Sequence, residues 1–195
     1  MQTWLLTSTF YGQWLPGDDV GSVTNVRTLR SSDPESHVRQ EHANPGDPYE
    51  GAMPGLHHSA EVLLKGPPVT VNLAQAEQLL EQFLETCTYR DWKLLAVAVM
   101  FNHVHLVVES PTAAGKSVLL RDIKAYGSRR LNRIYGSCPS GTWWTSGGSC
   151  RPLKHRHLAI HYVCHRQPTP LLVWSSERGR ISPEESHPDN KYSDT

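Results

Sequence analysis

The chain has 195 residues, and its 19 lysines and arginines balance 19 acidic residues, so its formal net charge is zero. That length suits one domain with a sizeable core. Mean hydropathy is −0.46, and no apolar run reaches the roughly 18 residues that a membrane-spanning helix needs. No membrane partner is expected, and the expected location is the cytoplasm.

The opening stretch MQTWLLTSTFYGQW lacks a basic n-region and a small-residue cleavage site, so no secretory signal is expected. Residues 3–10, rich in Thr, Leu and aromatics, predict a buried strand. Gly12, Pro16, Gly17 and Gly21 then mark a structured turn. Residues 27–66 are polar, rich in Pro, Gly and His, and without period, which predicts a long loop insertion.

Asn72 followed by Gln75 reads as a capping box. Ala76, Leu79, Leu80, Phe83, Leu84 and Cys87 then recur at helical spacing. Lys93–Met100 is a continuous apolar run, the mark of a buried strand. After the tight Phe101-Asn102 connection, His103, His105 and Val107 alternate with Val104, Leu106 and Val108, which predicts a second, antiparallel strand. Residues 117–135 predict a helix, with Leu119, Ile123, Tyr126, Leu131 and Ile134 on an apolar side and Arg121, Lys124, Arg129 and Arg133 on a basic one. A Gly/Ser-rich connection holds Trp143 and Trp144, and residues 157–166 form a short late helix stopped by Pro168. From residue 176 the composition predicts a polar, disordered tail. The expected fold is α+β, a ferredoxin-like or RRM-like antiparallel sheet with helices on one face plus the late helix. The expected domain spans residues 1–175.

Cys87, Cys138, Cys150 and Cys164 form no Cys-x-x-Cys pair. This argues against a zinc knuckle and for reduced thiols. The balanced charge hides an uneven distribution. Between Gly115 and His157 lie Lys116, Arg121, Lys124, Arg129, Arg130, Arg133, Arg151, Lys154 and Arg156, against one acid, Asp122. A solvated helix face explains such a run, and so does a nucleic-acid backbone.

Side chains two apart on a strand share a face, so His103 and His105 are neighbours able to offer nitrogens to one ion. Two ordinary surface histidines fit the same spacing. On the late helix, Tyr162, His165 and Arg166 project to one side. A tyrosine hydroxyl, with an unperturbed pKa of about 10, needs a nearby cation to act as a nucleophile.

The stretch FNHVHLVVES resembles the His-hydrophobic-His signature of the HUH endonuclease superfamily. With YGQWLPGDDVGSV, DIKAYGSRRLNRIYG and HLAIHYVCHRQPTPLLVW in this order, the chain resembles the single-tyrosine transposases of insertion sequences, including the REP-associated ones. The resemblance implies His103 and His105 as metal ligands, Tyr162 as the nucleophile, and Mg2+ or Mn2+ as the ion. It places the third ligand at Gln167, with His165 as the chemical substitute. Relatives often carry Gln or Asn four residues after the tyrosine, where this chain has Arg166.

The implied partner is hairpin-bearing single-stranded DNA, cut through a 5′-phosphotyrosine link in a nucleoid-associated reaction. A homodimer also fits the resemblance. Arg121, Lys124, Arg129 and Arg130 would meet phosphates, and Trp143 and Trp144 would stack on bases or pack in the core. Two rivals remain: a non-catalytic hairpin-binding protein, and a histidine-triad nucleotide hydrolase. The second needs a further histidine where this chain has Val107.

Overall fold

A computed structural model describes residues 1–18, 52–111 and 115–182. The chain forms two compact units, one from Met1–Gln13 with Pro68 onward, the other from Trp14–Pro67. In the second unit, α1 (Pro54–Val62) starts with proline in its first turn. It occupies part of the stretch expected to be loop; its nine residues bury none of their number, so the apolar periodicity that betrays a helix is missing. Gly17 carries φ +84°, and its carbonyl accepts from the Met53 N–H at 3.0 Å. A Cβ at Gly17 would stand 2.5 Å from the Met53 carbonyl oxygen, so only glycine fits this turn. Gly21, the rest of the expected loop up to residue 51, and the tail from residue 183 lie outside the described residues.

The first unit is a six-stranded antiparallel sheet. Its strands are β1 (Gln2–Thr9), β2 (Lys93–Val99), β3 (His103–Ser110), β4 (Ser149–Pro152), β5 (Leu172–Ser175) and β6 (Gly179–Ile181), in the order β4-β1-β3-β2-β5-β6. The α+β class expected from the pattern is the one observed. Strands β4, β5 and β6 were not foreseen; at three or four residues they are too short to show alternation. The sheet therefore runs past residue 175, where only a tail was expected.

Helices α2 (Leu73–Tyr89) and α3 (Lys116–Tyr135) cover one face. The capping box at Asn72 and Gln75 forms, with both hydrogen bonds at 3.0 Å. Leu6, Phe10, Leu79, Phe83, Val97, Val99, Val104, Leu106 and Ile123 build the core between them. Gly127 serves this contact: a Cβ there would lie 3.1 Å from Leu79, so the missing side chain lets α3 approach α2.

The late helix, α4 (Arg156–His165), lies on the opposite face. Helices thus cover both faces, because β2 is apolar on both. Val97 and Val99 point to α2 and α3, while Ala96, Ala98 and Met100 join Val107, Ala159, Val163 and Cys164 in a second, smaller core. Small Ala96 and Ala98 let α4 sit close to the sheet. Among the described residues no helix is long and apolar enough to cross a membrane.

Candidate active site

The face that α4 covers also carries the two histidines. The alternation of β3 turns Val104 and Leu106 into the main core and His103 and His105 toward α4. Both rings are buried, and their centroids lie 4.9 Å apart. Each is held through its δ-nitrogen. His103 Nδ1 meets Asn102 Oδ1 at 2.6 Å, and His105 Nδ1 meets Thr7 Oγ1 at 2.8 Å. A carboxamide oxygen only accepts, so His103 donates from Nδ1 and its ε-nitrogen carries the lone pair. Histidines that ligate metals are oriented in this way by a partner on the other nitrogen.

Burial lowers His103 to about 4; burial first, then the charge of His103, lowers His105 to about 3. Both are therefore neutral at neutral pH, the form that binds a metal. Thr7 and Asn102 were not picked out from sequence. Asn102 had a signal, since it directly precedes His103. Thr7 had none, because it meets His105 only through the β1–β3 register.

Helix α4 brings Tyr162 to this pair. Its ring centroid lies 5.6 Å from that of His105, in an edge-on arrangement, and the residue is 42% exposed. The helix is seated by Val163 and Cys164 in the second core, and Arg156 Nη1 reaches Glu109 Oε2 at 3.2 Å on β3.

The two candidates for a third ligand part company here. Gln167 is buried, and its Nε2–H donates to the Tyr162 carbonyl at 3.1 Å. This folds its carboxamide back beneath the tyrosine turn. His165 instead lies against His161, one turn earlier on the same stripe of α4, with centroids 5.1 Å apart. Its Nδ1 is buried without a hydrogen-bond partner, unlike those of His103 and His105. Among the described residues no group of three or more His, Cys, Asp or Glu side chains could hold an ion. His165 therefore does not join the pair. His103 and His105 offer two neutral imidazole donors and no thiolate.

The residues expected to meet DNA divide sharply. Arg130 is only 15% exposed on its side chain and pairs with Glu81, Glu85 and Gln78 of α2. It ties two helices together and does not face outward. Trp143 and Trp144 are both buried. Trp143 N–H bonds Asn132 Oδ1 at 2.7 Å; Trp144 stacks on Phe10 at 4.6 Å and donates to the Lys124 carbonyl at 3.0 Å. Neither ring has a face to offer a base, and the packing alternative holds for both. Arg121 is exposed and bonds Asp122 through Nε at 2.8 Å. Arg129 lies over the Tyr126 ring at 5.0 Å. Lys124 donates to the carbonyls of Thr145 and Gly147.

The family model described as "Transposase IS200 like" matches residues 69–162. Over that stretch the chain is similar to the IS200-like transposases. The matched stretch contains His103 and His105 and ends on Tyr162, so it takes in the three side chains just described. The structure of a REP-associated tyrosine transposase bound to a REP hairpin is similar to this chain at 11% identity and a TM-score of 0.42, covering 83% of this chain and 64% of the other. The chain thus spans under two thirds of that protein. A protein of Deinococcus radiodurans R1 described as a transposase is similar at 13% identity and a TM-score of 0.44, covering 82% of this chain and 85% of the other. No curated protein matches.

Proposed function

We propose that this chain cuts and rejoins single-stranded DNA at hairpin-bearing ends, with Tyr162 as the nucleophile. One observation carries the reading. The fold sets a half-exposed tyrosine from α4 edge-on to His105, beside a buried, neutral, pre-oriented histidine pair from β3. Val107, where a histidine-triad hydrolase needs its next histidine, is fully buried in the core under α4.

The Tyr162 oxygen attacks phosphorus and the bond to the 3′ oxygen breaks. The tyrosine gives up its proton, the leaving oxygen takes one up, and a 5′-phosphotyrosine and a free 3′-OH result. Attack by a second 3′-OH reverses the step and joins strands. One phosphodiester replaces another, so no nucleotide cofactor is consumed. His103 and His105, with Gln167, would hold a divalent ion. When bound, that ion supplies charge to polarise the scissile phosphate. Asn102 and Thr7 fix the two rings, and Gln167 ties the end of α4 to the Tyr162 carbonyl, holding the hydroxyl near the reacting phosphate.

The test is incubation with end-labelled single-stranded hairpins and Mn2+. A covalent adduct that survives SDS is expected, and it should vanish in Tyr162→Phe with the fold unchanged. No adduct across a broad oligonucleotide panel would overturn the catalytic reading in favour of hairpin binding alone.

A further inference from the structure

Helix α4 carries further histidines that the proposed reaction does not use. His157, His161 and His165 recur every four residues, so they form one stripe along the helix. His157 and His161 are exposed, and His165 is half-buried. The rings of His161 and His165 lie 5.1 Å apart, centroid to centroid. Two imidazoles on one tetrahedral ion, with metal–nitrogen bonds of about 2.0–2.1 Å, set their centroids about 5.2 Å apart. The pair therefore already stands at the spacing that shared ligation needs.

The surroundings favour an ion at this pair. His103 and His105 each have a partner on Nδ1, whereas Nδ1 of His165 is buried without one. A buried nitrogen left unpaired is costly, and turning this ring toward an ion breaks no bond at that nitrogen. His165 is also the last residue of α4, in the turn whose unpaired carbonyls carry the negative end of the helix dipole. The other close pair, His155 and His157 at 5.9 Å, sits at the start of α4, where the dipole opposes a cation. Arg166 follows the site but is exposed, so water and salt screen its charge.

The donors also set the class of ion. Helix α4 contains no acidic residue, and its Cys164 is buried in the second core. Two imidazoles with neither carboxylate nor thiolate suit Zn2+, Ni2+ or Cu2+, and not Mg2+ or Mn2+. Water would complete the coordination, since no larger group of ligating side chains stands among the described residues.

We infer that His161 and His165 form a metal site separate from the His103–His105 pair, a two-imidazole clip for Zn2+ or a similar ion. Tyr162 lies within the turn that the two ligands span, so the clip fixes the turn that presents it. The inference does not depend on Tyr162 attacking DNA.

The test is calorimetric titration of tag-free, EDTA-stripped protein with Zn2+ in excess Mg2+, with melting followed in parallel. His161→Gln and His165→Gln are each expected to lose one equivalent of bound Zn2+ relative to the parent chain. His157→Gln is expected to keep it. Zn2+ should raise the Tm of the parent more than that of His161→Gln, a change at an exposed position that leaves the metal-free Tm in place. A His103→Gln, His105→Gln double variant should retain the equivalent that His161→Gln removes. If that variant does not fold, the difference between the parent and His161→Gln carries the same count. Unchanged uptake in both His161→Gln and His165→Gln overturns the inference. So does an equivalent lost with the β3 pair and kept in His165→Gln, or one that depends on His157 in place of His165. Because Zn2+ uptake is read without DNA, a missing covalent adduct would sink the catalytic reading and leave this result standing.

Discussion

At the scale of single residues, the site depends on what burial does to two imidazoles. His103 and His105 fall from an ordinary value of 6.5 to about 4 and about 3, with desolvation the main cause. The sign of the stability effect follows. Between pH 6.5 and about 3 the unfolded chain binds more protons than the fold does, so stability drops as pH falls through that window and is complete above it. We predict that metal-free protein in EDTA loses Tm steadily from pH 6.5 to pH 4. A His103→Gln, His105→Gln double variant should show a flatter profile, and identical slopes would refute the assignment. The pair was legible in the sequence because a strand repeats every two residues. Its holding partner Thr7 was not, because strand register is a long-range property.

At the scale of elements, α3 shows how one basic helix divides its charges among different tasks. The sequence presents Arg121, Lys124, Arg129, Arg130 and Arg133 as one group. The structure assigns Arg130 to Glu81, Glu85 and Gln78 on α2 and Lys124 to loop carbonyls. Arg130→Gln should therefore cost about 1 kcal/mol of stability, the scale of a partly exposed ion-pair network. It should leave DNA affinity and its salt slope unchanged. Urea unfolding and a salt titration check the two halves separately; a lower salt slope would return Arg130 to the DNA surface. The helix itself was readable from its apolar positions, as was α2 from its capping box. The α1 helix was not, having no buried side to impose a period.

At the scale of the whole first unit, the active arrangement depends on a sheet covered on both faces. Helix α4 reaches the histidines because Ala96 and Ala98 leave room beneath it. Ala98→Leu should overpack this smaller core, costing roughly 1–3 kcal/mol, and push Tyr162 away from His105. We expect adduct formation to fall much further than metal binding, measured by calorimetry with Mn2+. Parallel loss of both would show that α4 does not act as a separately seated element.

The sequence by itself determined the antiparallel α+β class, three of the four helices among the described residues, the sharing of one face by His103 and His105, and the candidacy of Tyr162. The first three are local matters of period, capping and spacing, and the candidacy of Tyr162 comes from the resemblance of its segment. Only the tertiary structure decided that α4 crosses to the face opposite α2 and α3. The same holds for the burial of Trp143 and Trp144, the turning of His165 toward His161, and the folding of Gln167 beneath the tyrosine. Each of these depends on which distant segment fills the space next to a side chain, and no local pattern in the chain carries that information.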